Sequence, residues 1–131
     1  RSLHRYSTDL FVIAAMLPGD AHEGGLLMAC VILAMRGCRL VYLGLDTPTE
    51  QIASAARERA AEVVALSISV TVPRRQAGKA VNAVRDALPR RTALWIGGAG
   101  APKPPKGVER FDSLEALDAG LMAWSGSRPA Q

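Results

Sequence analysis

Val63-Val64-Ala65-Leu66-Ser67-Ile68-Ser69-Val70 is an apolar run interrupted only by two serines. It lacks the apolar-polar alternation of a strand with one wet face. A strand covered on both faces reads this way, and such strands belong to parallel sheets packed between helices. Outward from this run, four further short apolar runs alternate with helical patterns. The predicted strands span residues 10–16, 39–43, 63–70, 93–96 and 108–111. The first predicted helix covers residues 25–36. The second runs to about residue 61 and opens at Thr47-Pro48-Thr49-Glu50, which reads as a capping box with Pro at the first helical position. The third carries Ala77, Val81, Val84 and Leu88 on one face and stops at Pro89. Pro102, Pro104 and Pro105 leave room for only a turn after the fourth strand. The last helix is expected to be capped by Asp112, with Leu114, Leu117, Leu121 and Trp124 on one stripe and residues 125–131 as a frayed tail.

Strand-helix alternation with short connections implies right-handed crossovers and a parallel sheet. Five such units predict an α/β, flavodoxin-like (Rossmann-like) domain with strand order 2-1-3-4-5 and helices on both faces. At 131 residues and 49% hydrophobic, the chain is read as one domain with an ordered core of about residues 10–124. It starts with Arg1 rather than Met, so upstream domains are expected to be missing from this fragment. Cys30 and Cys38 suggest no disulfide framework, which fits a reducing cytoplasm. Their spacing with His22 matches no familiar zinc pattern. Residues 26–35 form a ten-residue apolar run, half of the ~20 needed to span a bilayer, and are read as a buried helix rather than an anchor. This helix is apolar all round, so its outer face is expected to be covered by an upstream domain or a second copy of the chain. The net charge of +4 comes from scattered Lys and Arg with only 5% aromatics, and no direct nucleic-acid contact is expected.

In the 2-1-3-4-5 order, ligands bind beyond the carboxyl ends of strands one, three and four. The unusual residues lie there. After the first strand comes Asp20-Ala21-His22-Glu23-Gly24-Gly25. The third ends in Ser67-Ile68-Ser69-Val70-Thr71, and the fourth in Gly97-Gly98-Ala99-Gly100. Taken alone, the first segment reads as a helix entry with Asp20 as N-cap. It also offers a metal-competent imidazole with a carboxylate near enough to orient it. Ser67 and Ser69, two apart in one strand, are expected to face the same side of the sheet. Their coincidence with the glycines at one crevice reads as a ligand site.

This constellation resembles the cobalamin-binding domains of the histidine-ligated type, which carry Asp-x-His-x-x-Gly, then Ser-x-Leu, then Gly-Gly. Here 41 residues separate Gly25 from Ser67 and 27 separate Ser69 from Gly97, and these intervals are similar to the family's. The resemblance implies cobalamin (methyl, adenosyl or hydroxo form) as cofactor. His22 would replace its benzimidazole as lower cobalt ligand, and Asp20 would hydrogen-bond the other ring nitrogen. The displaced nucleotide tail would enter a slot walled by Ser67, Ser69 and Thr71, with Gly97 and Gly98 leaving room opposite. Bulk at Gly98 is expected to exclude the tail without touching the metal ligand. Ser69 departs from the family's Leu. The segments around residues 18–28 and 40–44 are most similar to cobalamin domains of MerR-type transcriptional regulators. That implies a sensory module attached to upstream helical and DNA-binding domains. A corrinoid-carrying domain of a methyltransferase or mutase is the alternative. A phosphorelay receiver is excluded, because the third strand does not end in Asp. No G-x-G-x-x-G follows the first strand, which excludes a dinucleotide site.

Overall fold

A computed structural model describes residues 8–127. The sheet is five-stranded and parallel throughout, in the order β2-β1-β3-β4-β5, as expected from the crossovers. The strands are β1 (Phe11–Met16), β2 (Arg39–Gly44), β3 (Val63–Ser67), β4 (Ala93–Gly97) and β5 (Val108–Phe111). The helices are α1 (Gly24–Met35), α2 (Thr49–Glu58), α3 (Arg74–Ala87) and α4 (Leu114–Ser127). β1 and β3, mostly buried, lie side by side, with β3 at the centre. One sheet face packs Ile52, Ala53 and Ala56 of α2 with Ala77, Val81 and Val84 of α3. The other face packs Leu33 of α1 with Leu117 and Leu121 of α4 around Trp95.

Four local expectations are corrected. β3 ends at Ser67 rather than at residue 70, because the next stretch of backbone bonds elsewhere. The Ser69 N–H goes to the Asp20 carboxylate, and Ile68 holds the loop after β4. Thr47 forms no capping box. Its hydroxyl donates to the carbonyls of Gly44 and Leu45, and Pro48 occupies the N-cap in an extended conformation, so α2 starts one residue later than expected. The cap of α4 is Ser113, whose Oγ accepts the Ala116 N–H at 3.0 Å. Asp112 instead pairs with Arg110 at 2.9 Å. α4 also continues through residues 125–127, which were expected to fray. Residues 128–131 lie outside the described residues.

Leu117 and Leu121 of the expected α4 stripe are buried, whereas Trp124 is 40% exposed. α1 buries Leu26 and Leu33 only. Its outer face leaves Leu27, Met28, Val31 and Met35 between 47% and 79% exposed. α4 lies beside α1, fastened by a two-pronged ion pair between Arg36 and Asp118, but does not cover that face. Among the described residues, no helix is long and apolar enough to cross a membrane.

Candidate functional site

The carboxyl ends of β1, β3 and β4 converge, and their loops form two adjoining features. The first is a cleft of about 360 Å³ between α1 and α4. Gly24, Gly25, Ser67, Gly97, Gly98 and Ala99 line its upper end, with the apolar side chains of Trp95, Leu114 and Leu117 below. Its volume falls in the range of small-molecule sites, and its mostly apolar lining with a few polar groups is the usual composition of one. Glycine makes the upper end narrow. A Cβ on Gly25 would stand 3.2 Å from Ser67 Oγ, and one on Gly97 would stand 3.4 Å from the Phe111 carbonyl.

The second feature is a polar cluster beside the cleft. Asp20 has no exposed surface, yet each carboxylate oxygen is satisfied. Oδ2 accepts the Ser69 N–H at 2.9 Å. Oδ1 accepts the Ser69 hydroxyl at 3.0 Å and the His22 N–H at 3.2 Å. Burial alone would push the Asp20 carboxyl up. The Ser69 and His22 N–H groups and the Ser69 hydroxyl oppose this, and the net result is a carboxyl held below its ordinary value. Ser69 Oγ lies 2.6 Å from Thr71 Oγ1, which is 3.4 Å from His22 Nδ1.

His22 itself is 64% exposed, two residues before Gly24 of the cleft. Its Nδ1 is 3.6 Å from Asp20 Oδ1, too far for the direct hydrogen bond expected from the sequence. Asp20 holds the loop through the His22 backbone, and the hydroxyl of Thr71 is nearest the ring nitrogen. Nor does Asp20 cap α1, whose N-cap position is Glu23.

The expected residues therefore divide into two groups. Ser67 borders the cleft, whereas Ser69 and Thr71 belong to the cluster around Asp20 and His22. The two serines do not share one wall, because the strand ends between them. Ala21 is exposed. Glu23 turns away, and its carboxylate accepts the hydroxyl of Tyr42 on β2. Beside that carboxylate the phenol is pushed up to about 12.

Gly98 borders the cleft and has a second role besides. With φ at +96° it is left-handed, and an added Cβ would sit 2.4 Å from the Ile68 carbonyl oxygen. A Cβ on Gly100 would sit 2.0 Å from the Ser69 oxygen. These glycines let the loops after β3 and β4 run backbone against backbone, joined by the Gly100 N–H to the Ile68 carbonyl at 2.9 Å. Sequence reasoning assigned no role to Tyr42, Asp46 or Gly100. Asp46 Oδ1 accepts the Gly19 N–H at 2.7 Å, a contact spanning 27 positions that no local pattern signals.

The Asp20 network makes a prediction. An asparagine there must aim its amide group at either the Ser69 or the His22 N–H, setting donor against donor. Asp20→Asn is expected to lower stability at pH 7 by about 1–3 kcal/mol, the cost of leaving a buried donor unsatisfied. Urea denaturation measures it. The wild-type carboxyl is depressed in the fold. Its contribution is therefore complete above the ordinary carboxylate value and is lost as pH falls through the folded one. The gap between wild type and variant should close at acid pH.

Comparison with known proteins agrees with this geometry. The B12 binding domain family matches residues 11–119. Two HTH-type transcriptional repressors of Myxococcus xanthus are similar in sequence. CarA is 34% identical over 86% of this chain, and CarH is 33% identical over 76%. The chain spans only 40% and 33% of their respective lengths. Among solved structures, a cobalamin-binding protein from Desulfitobacterium hafniense aligns with a TM-score of 0.70 at 20% identity, over 88% of this chain and 58% of that one. The methanol:cobalamin methyltransferase complex MtaBC of Methanosarcina barkeri aligns with a TM-score of 0.70 at 15% identity, over 89% and 47%. These two likenesses concern the fold. With a family match running from the start of β1 into α4, over the cleft and the His22 cluster alike, the chain belongs to the B12-binding domain family.

Proposed function

We propose that this domain binds cobalamin with His22 as the lower cobalt ligand and the displaced nucleotide tail in the cleft between α1 and α4. The observation that supports this best is the pairing of an exposed imidazole, on a loop anchored by the buried Asp20, with a glycine-walled cleft two residues away. When bound, cobalamin supplies a cobalt centre with an exchangeable upper ligand. Among the described residues, no three His, Cys, Asp or Glu side chains converge on one point, so the metal would arrive within its own macrocycle. His22 would donate a ring nitrogen, Asp20 would hold its backbone, and Ser67 with the Gly97 and Gly98 backbone would meet the polar parts of the tail. The test is the absorption spectrum of the chain mixed with methyl-, adenosyl- and hydroxocobalamin. Spectra identical to those of the free cofactors would refute binding.

Gly24 offers a cleaner test of the cleft than Gly98. An added Cβ there meets nothing within 4 Å, and α1 would tolerate a side chain at its first position. Gly24→Leu is expected to lose intact cobalamin while retaining cobinamide, which lacks the nucleotide tail, in a titration followed by absorbance. Equal affinity for both would remove the tail from this cleft.

We further propose a regulatory role, as a sensory module joined to upstream helical and DNA-binding domains in a cytoplasmic transcriptional regulator. Support comes from the similarity to the two HTH-type repressors, each more than twice as long as the segment matched. The exposed apolar face of α1 would then be covered by such a domain or by a second copy. Sedimentation together with hydrogen exchange tests this. A monomer whose α1 amides gain no protection when upstream residues are added would refute a partner on that face.

A further inference from the structure

The loop that carries His22 is tied down on two sides, and only one of them involves the Asp20 cluster. On the β3 side, Asp20 is gripped by Ser69. On the opposite side, the carboxyl end of the edge strand β2 supplies two further ties. Asp46 Oδ1 accepts the Gly19 N–H at 2.7 Å, immediately before Asp20. Tyr42 donates its hydroxyl to Glu23, immediately after His22. His22 therefore lies between two anchors four positions apart, at Gly19 and Glu23, while its own ring stays 64% exposed.

The geometry of β2 is unusual where it makes these ties. The β1–β2 register shifts between Ala14 and Ala15, so that Ala14 faces Tyr42 but Ala15 faces Gly44. Gly44 has φ at +83°, and a Cβ there would press on the Tyr42 ring at 3.2 Å. Asp46 has φ at +49°, a left-handed conformation that Asp and Asn tolerate better than other side chains. Thr47 closes the corner, with its N–H donating to the Met16 carbonyl at 3.1 Å. A register shift followed by the left-handed Asp46 is a local cost, and such irregularities persist where the surroundings over-determine them.

We infer that Tyr42 and Asp46 are positioning residues for His22, fixing the backbone on either side of the ring so that it meets cobalt without a loop-ordering cost. This rests on the proposal that His22 is the cobalt ligand. The physical principle is preorganisation: a ligand held in place before binding loses less entropy on binding. Neither side chain lines the cleft.

The test compares Tyr42→Phe, Asp46→Ala, Asp46→Asn and His22→Ala in the whole chain. Cobinamide affinity is measured, together with the fraction of cobalt(II) that shows coupling to a protein nitrogen in electron paramagnetic resonance. Melting temperature serves as the control for folding. Tyr42→Phe and Asp46→Ala are each expected to weaken cobinamide binding about 10-fold, the lower end for residues that orient a metal ligand. Each should also lower the nitrogen-coupled fraction. Asp46→Asn keeps the acceptor and tolerates the left-handed backbone, so it should restore both readouts. If His22→Ala abolishes the coupling while Tyr42→Phe and Asp46→Ala keep full coupling and wild-type affinity, the positioning role is overturned but the ligand assignment stands. Unchanged coupling in His22→Ala overturns the ligand assignment itself. If Asp46→Asn fails to rescue although it melts like wild type, the Gly19 tie is not the cause and the role of Asp46 is refuted.

Discussion

Replacing His22 with alanine is expected to remove protein ligation of the cobalt and to weaken cobalamin binding by more than about 100-fold, beyond the 10–100-fold typical of residues that merely orient a ligand. The imidazole is exposed, and the loop backbone is held by Asp20 through the His22 N–H, which alanine retains. The fold should therefore survive, with a melting temperature close to wild type. Electron paramagnetic resonance of the cobalt(II) form with nitrogen-15-labelled protein reads the ligand directly. Coupling to a protein nitrogen should be present in wild type and absent in His22→Ala. A variant that still showed protein coupling would place the lower ligand elsewhere, and His4, outside the described residues, is the one other histidine in the chain. Asp20→Asn should weaken binding less than His22→Ala, because Asp20 does not reach the ring and can only affect how the loop is held.

The second large effect is on folding. Any side chain at Gly98 meets the Ile68 carbonyl oxygen at 2.4 Å while also facing a left-handed backbone. The obstacle is main chain, which no rotamer change can relieve. Gly98→Ala is expected to cost at least about 1–3 kcal/mol, the scale for a side chain forced into a strained backbone, and Gly98→Leu more. A urea melt should show a lower midpoint for Gly98→Ala in the absence of any ligand. Cobalamin and cobinamide should be lost together in Gly98→Leu, the opposite of what a pure tail-blocking residue would give. A Gly98→Ala protein as stable as wild type would mean that the two loops separate easily and that their backbone contact contributes little.

How far the sequence could be read depended on the range of the interactions involved. β5 was predicted at residues 108–111, and it runs from Val108 to Phe111. The buried face of α3 was legible from Ala77, Val81 and Val84 because a helical period is a local property. The strand order followed from alternation, since right-handed crossovers leave few ways to wind five units. Motif spacing placed Asp20, His22, Gly25, Ser67 and Gly97 at one edge of the sheet, and the structure brings them there.

The choice between competing hydrogen-bond partners was not legible. Whether Ser69 would continue the ladder of β3 or turn aside depended on a carboxylate 49 residues earlier in the chain. Burying that carboxylate requires several donors, so it draws the strand end out of the sheet. The same long-range competition separated Ser67 from Ser69 and left Thr71 nearest the His22 ring. It also gave Gly98, at the upper end of the cleft, a backbone contact that no local pattern signals. The sequence alone determined which residues reach the carboxyl edge of the sheet, because periodicity and chain connectivity are local constraints. Which of them line the cleft and which hold the histidine loop emerges only in the folded chain, because those roles depend on buried donors and acceptors finding each other across the fold.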